Sequence, residues 1–143
     1  MLAVVGDLRA HRAHVVVDVD DDSCTATALL DASSAIVAVV GASPVGVVRA
    51  LEWSATVCRR APETPVHLAV NRAPRARYRR AEIHRELVES MSPSSITWLP
   101  ADRNVDAAAW NGDVVSRGPF HAAIRRLAEA VSPSSGRWEW RRR

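Results

Sequence analysis

Polar residues follow three short apolar runs in this sequence, at points where buried strands would end. Asp18 closes the run HVVVDVD, Asn71 closes VHLAVN, and Pro100 and Asp102 follow ITWL. A carboxylate at a strand end can hold Mg²⁺ or its bound water beside a nucleotide. The amide of asparagine offers both a donor and an acceptor, which suits the edge of an adenine base. These residue types therefore indicate a nucleotide site with Asp18 as its metal-side carboxylate.

Arginine supplies all 19 basic side chains, because the sequence contains no lysine. A phosphate-binding loop of the P-loop type needs a lysine and a glycine-rich turn, and the sequence has neither. Several arginines follow one another closely, a pattern typical of a solvated face or of a surface for phosphate, nucleic acid or anionic lipid. This basic run consists of Arg72, Arg75, Arg77, Arg79 and Arg80.

The composition is that of an ordinary soluble globular protein, with 48% apolar residues, 24% charged residues and a net charge of +3. At 143 residues the chain has the length of one domain. Cys24 and Cys58 stand singly, so we expect no disulfide, no zinc site and a reducing, cytoplasmic setting. No apolar stretch has the roughly 18–20 residues that a membrane helix needs.

Predicted strands and helices alternate along the chain. The predicted strands are 14–19, a run ending at Gly41, 66–71 and 96–99; the predicted helices are 24–31, 44–60, 79–90, a short one between Asp102 and Gly112, and 119–131. Ser43 suits a helix cap and Pro44 suits the first helical turn. The predicted inner face of the helix at 44–60 consists of Val47, Val48, Leu51, Ala55 and Cys58.

This alternation indicates an α/β fold, with a parallel β-sheet flanked by helices. Residues 1–131 are predicted to form one domain of this class. Ligands bind at the carboxyl ends of the strands in such sheets. We therefore expect Asp18, Asn71 and the turn from Pro100 to Asp102 to lie on one rim.

The tail at 132–143 combines tryptophan with arginine. Trp138 and Trp140 stand among Arg137 and the arginines at 141–143. Such a mixture favours a membrane interface or a weak contact with nucleic acid, and it is also typical of a disordered chain end. The sequence leaves both interpretations open.

The order of the segments resembles that of the MinD/ParA-type P-loop ATPases, in particular the MinD-like branch that includes the CpaE pilus-assembly proteins. The segments that carry the resemblance are VVVDVD, AIVAVVGASPVGVVRALEW, LAVNR, LPADRNVDAAAWNGDVV and FHAAIRRLAEAV. They span residues 10–131 and match the C-terminal part of the family's fold. The resemblance therefore implies a chain that is truncated at its amino end relative to the family.

The resemblance implies an ATPase that positions chromosomes, division septa, pili or flagella, with ATP or ADP and Mg²⁺ as its ligands. It implies that Asp18 lies near the magnesium ion, that Asn71 reads the adenine base, and that Pro100 and Asp102 pack beside it. Ser43–Val45 matches a segment at the family's dimer interface. Self-association or a partner chain is therefore expected through that segment or through an exposed sheet edge.

The same resemblance implies a defect, because the family's glycine-rich loop and its lysine have no counterpart here. We expect weak ATP binding and no ATP hydrolysis by this chain alone. One alternative is a scaffold of the same fold that binds partners without nucleotide. A second is a haloacid dehalogenase-like phosphatase, with Asp18 as nucleophile and Asp20 as acid/base. A receiver domain also has strand-end aspartates, but it needs a lysine that this chain lacks.

Overall fold

The computed structural model describes residues 5–8, 14–19 and 24–132. Residues 5–8 are helical, and residues 14–19 have no regular secondary structure. The elements that follow are α1 (Cys24–Ala32), β1 (Ile36–Gly41), α2 (Pro44–Arg60), β2 (Val66–Ala73), α3 (Arg77–Met91), β3 (Ser95–Pro100), α4 (Arg103–Asn111) and α5 (Pro119–Val131). Within these ranges, no helix is both long and apolar enough to cross a membrane.

The described strands form one parallel sheet in the order β1-β2-β3. β2 lies in the middle, and its residues from His67 to Val70 are buried in succession. A strand covered on both faces has this uniform burial, whereas a half-exposed strand alternates. The predicted α/β class, with a parallel sheet flanked by helices, is confirmed.

Helices cover both faces of the sheet. α2 and α3 pack together on one face, where the core consists of Val40, Val47, Ala50, Leu68, Val70 and Leu87. α5 packs on β3 and β2 on the other face, where Ala123 meets Ala69 and Leu99. α1 packs against α2, with Leu30 beside Val57. The carboxyl ends of the strands stay outside these cores and are free to form a site.

The start of α2 follows its sequence signals. Ser43 is the N-cap, and its Oγ accepts a hydrogen bond from the backbone N–H of Gly46 at 3.1 Å. Pro44 occupies the first turn, where its missing N–H costs nothing. Gly46 lies so close to the end of β1 that a Cβ there would stand 2.2 Å from the carbonyl oxygen of Gly41. Only glycine therefore lets α2 begin against β1 in this way.

The predicted inner face of α2 is confirmed at Val47 and Leu51 and wrong at Val48, Ala55 and Cys58. The buried residues are Val47, Ala50, Ser54 and Val57. Val48 is 54% exposed, and Ala55 and Cys58 are exposed as well. The buried face thus combines two valines with the small residues Ala50 and Ser54, and the hydroxyl of Ser54 donates to the carbonyl of Leu51 at 2.7 Å.

The predicted buried strand at 14–19 is also wrong. These residues have no regular secondary structure, and Val16 is 92% exposed. A valine-rich run favours a strand only where a partner strand is in reach. Asp18 is exposed to water.

The outer edge of β1 has no partner strand among the described residues. The side chains of Val37 and Val39 lie on the face of the sheet on which α5 packs against β3 and β2. On β1, Val39 is 71% exposed. Its neighbour on β2, Ala69, packs under α5. The strand Ile36–Gly41 has neither a charged residue nor a proline, the usual protections of an open edge.

Candidate functional site

A cleft of about 1020 Å³ opens at the carboxyl ends of β2 and β3. Its walls come from three parts of the chain: the end of β2 and the loop after it, the turn from β3 into α4, and the start of α5. The lining residues are Asn71, Arg72, Arg75, Pro100, Ala101, Asp102, Arg103, Asn104, Val105, Asp106, Pro119 and Phe120. This is the edge of the sheet at which α/β proteins bind ligands.

Three of the four predicted site residues lie in this cleft. Asn71, Pro100 and Asp102 line it together, although they come from different strands. Asp18 is not among the lining residues and lies exposed in the segment 14–19. The structure therefore brings together the predicted base-side residues and leaves the predicted metal-side carboxylate apart from them.

The end of β2 is irregular at the cleft. The register between β2 and β3 shifts between Val70 and Ala73, and Arg72 adopts a left-handed backbone conformation with φ of 55°. Asn71 Oδ1 accepts the backbone N–H of Arg72 at 2.8 Å, which stabilises this bend and defines the orientation of the amide. The backbone carbonyl of Asn71 accepts the N–H of Ala42 at 3.0 Å, so the turn after β1 also holds the residue in place.

The side-chain amide of Asn71 lines the cleft and has hydrogen-bonding groups that no described residue uses. Its nitrogen makes no hydrogen bond to any residue that the structure describes, and its oxygen makes one. An amide has two N–H donors and two acceptor lone pairs. Both donors and one lone pair are therefore available to a ligand.

The turn into α4 follows the prediction. Asp102 is the N-cap of α4, and its Oδ1 accepts the N–H of Asn104 at 2.9 Å. Gly112 closes the helix with φ of 70°. Gly118, with φ of 95°, lies next to the other oxygen of Asp102, since a Cβ there would stand 3.6 Å from Oδ2. Half-buried Asp102 thus stands where the starts of α4 and α5 meet.

Three arginines of the cleft were not predicted as site residues. Arg72 and Arg75 belong to the basic run, and Arg103 opens α4. The run divides in the structure, because Arg79 contacts Tyr78 and Arg80 contacts Trp98. Spacing of basic residues in a sequence does not reveal this division, which depends on the irregular end of β2.

Arg80 holds the loop that carries Arg75. Its Nε donates to the carbonyl of Pro74 at 2.6 Å, and its guanidinium lies 5.8 Å from the ring centroid of Trp98. A cation at that distance from a tryptophan ring is attracted to the ring face. The loop between β2 and α3 is thereby tied to β3.

His67 is the buried histidine of β2. Its Nδ1 lies 2.8 Å from Ser95 Oγ on β3, and burial lowers its pKa below the usual value. It does not line the cleft. We assign it to the packing between β2 and β3.

Two predicted features fall partly or wholly outside the described residues. Asp20–Asp22 and the tail at 133–143, with Trp138 and Trp140, lie outside them. In the part of the chain that the structure describes, no group of three or more His, Cys, Asp or Glu residues is arranged to hold a metal ion.

No family model, curated protein or solved structure matches this chain. The function is therefore inferred from the residues that line the cleft.

Proposed function

We propose that this domain binds the base of an adenine nucleotide in the cleft between β2, α4 and α5. It would be a nucleotide-binding module that takes part in the positioning of cellular cargo, as MinD/ParA-type ATPases do, and that does not hydrolyse ATP by itself. The observation that supports the proposal is the meeting of Asn71, Pro100 and Asp102 in one cleft at the ligand-binding edge of the sheet.

Asn71 would read the base. Its free N–H donors suit a ring nitrogen of adenine, and the remaining lone pair on Oδ1 suits the exocyclic amino group. Pro100 and Phe120 add apolar surface to the cleft, against which a flat ring can pack. On the base edge that carries N7, guanine presents a carbonyl where adenine presents the amino group, so an amide bound to that edge would favour adenine.

Hydrolysis is not expected because it depends on charge neutralisation around the γ-phosphate. The sequence has no lysine for this task. Asp18, the proposed magnesium-side residue, does not line the cleft. We therefore expect no magnesium-dependent phosphate release by the purified chain; release that is lost on Asp18→Ala would contradict this part of the proposal.

Isothermal titration with adenosine and guanosine tests the base-reading role. We expect adenosine to bind more tightly, and Asn71→Ala to weaken adenosine binding by about ten-fold, the loss of one bidentate contact. Asn111→Ala is the matched control, since Asn111 ends α4 outside the cleft and should leave binding unchanged. Equal effects of the two substitutions, or no adenosine binding by the parent chain, would refute the proposal and favour a scaffold that binds partners without nucleotide.

A further inference from the structure

Three arginines line the cleft and form no ion pair with any residue that the structure describes. Arg72, Arg75 and Arg103 are all exposed there. Among the described residues, the ion pairs join Arg85 to Glu86 and Arg125 to Glu129. None of the three cleft arginines therefore lies within 4 Å of a carboxylate of the described residues.

The two carboxylates of the same cleft do not neutralise its three arginines. Asp102 uses Oδ1 to cap α4, and its charge is partly offset by the amino end of that helix. Asp106 is exposed in the first turns of α4 and takes part in none of these ion pairs. The three guanidinium groups thus outnumber the two carboxylates of the cleft and leave it open to an anion.

The backbone at Arg72 gives a second, independent observation. Its φ of 55° lies in the left-handed region, which a residue with a Cβ enters at a cost. Glycine would make the same bend without that strain. Strained residues cluster at functional sites, where a side chain is needed despite the strain. An arginine at this bend therefore points to a use for its guanidinium.

We propose that Arg72, Arg75 and Arg103 bind the phosphate groups of the adenine nucleotide whose base lies against Asn71. This inference rests on the proposed function and deepens it. The planar guanidinium presents paired N–H donors that match phosphate oxygens, so arginine can replace a phosphate-binding lysine with different geometry. The cleft would then hold an adenosine phosphate through side chains, without a glycine-rich loop.

The test compares adenosine, AMP and ADP by isothermal titration in the presence of EDTA, so that no magnesium ion contributes. We expect AMP to bind about 100-fold more tightly than adenosine, the product of three exposed charge pairs of about five-fold each, with a smaller advantage at high salt. Arg75→Gln and Arg103→Gln should each weaken AMP binding by about five-fold, the upper end for one exposed charge pair, and leave adenosine binding unchanged. Arg77→Gln is the matched control, because Arg77 opens α3 outside the cleft.

The variant Arg72→Gly tests whether Arg72 serves AMP binding or the stability of the fold. We expect it to weaken AMP binding about five-fold while its melting temperature stays at or above that of the parent, because glycine relieves the left-handed strain. A lower melting temperature with unchanged AMP affinity would show a structural role for Arg72 and overturn its assignment.

The outcomes distinguish this inference from the proposed function. Equal affinities for adenosine and AMP would overturn the arginine assignment and leave base binding intact. No binding of adenosine would refute the proposed function itself. Equal affinities for pyrophosphate and ADP would also overturn the inference, since the cleft would then take an anion without reading a base.

Discussion

Substitution of Gly46 tests how closely α2 is set against β1. An alanine Cβ at this position would stand 2.2 Å from the carbonyl oxygen of Gly41 and 2.9 Å from its Cα. These are backbone atoms, so no side-chain rotation can relieve the contact. The first turn of α2 must move away from the end of β1, or the turn at Ala42 and Ser43 must change. Gly46→Ala should therefore destabilise the fold.

Two opposing effects determine how much Gly46→Ala lowers the free energy of unfolding. Overpacking costs about 1–3 kcal/mol, and a contact with rigid backbone belongs near the upper end of that range. Alanine in place of glycine returns up to about 1 kcal/mol through its higher helix propensity. The net loss in the free energy of unfolding should be about 2 kcal/mol. For a domain of this size that lowers the melting temperature by about 8 °C.

Gly41→Ala is the matched control, because it adds the same methyl group to the other side of the same contact. Its Cβ would meet Gly46 Cα at 3.9 Å and Ser43 Oγ at 4.0 Å, which are ordinary distances. Thermal and urea unfolding followed by circular dichroism should show a clear loss for Gly46→Ala and little change for Gly41→Ala. Similar stabilities for the two variants would refute the reasoning. Because Ala42 N–H donates to the carbonyl of Asn71, Gly46→Ala should also weaken adenosine binding.

Two further predictions concern His67 and the open edge of β1. Burial lowers the pKa of folded His67 below its usual 6.5, so stability should be full above pH 6.5 and fall as the pH drops below it, because the unfolded chain binds the proton first. Urea unfolding at several pH values should show this loss in the parent and in the control His84→Gln, which changes an exposed histidine, but not in His67→Gln. If the free energy of unfolding of His67→Gln falls with pH as steeply as that of the parent, the prediction is wrong. The edge of β1 carries neither a charge nor a proline and should make the chain self-associate. Light scattering after size exclusion should find Val39→Lys shifted towards monomer but not Val114→Lys, which changes a still more exposed valine elsewhere. A parent chain that is monomeric at high concentration would exclude this interface.

Element boundaries with local chemical signals could be predicted from the sequence. Ser43 and Pro44 begin α2, Asp102 caps α4, and Gly112 closes it. These signals work because each satisfies backbone groups of its own turn and needs no distant partner. The apolar run that predicts β2, interrupted by His67, reflects burial on both faces of the sheet.

Features that depend on distant contacts could not be predicted. On α2 the small side chains of Ala50 and Ser54 are buried while Val48 is 54% exposed, an orientation that depends on how the helix packs on the sheet. The run at 14–19 has the composition of a strand but pairs with none. Arg72 gives no sign in the sequence of its left-handed backbone, which depends on the register shift at the end of β2. The left-handed backbone of Arg72, one of the three cleft arginines, lies within that shift.

α4 forms one wall of the cleft and yet buries none of its residues. Local opening of such a helix requires little free energy beyond that of its own hydrogen bonds. Bound ligand should therefore slow amide hydrogen exchange in α4 well before it changes exchange in β2, whose side chains form the core. For the same reason, substitutions in α4 could redesign ligand preference with little loss of fold stability, which makes this helix the part of the domain most open to engineering.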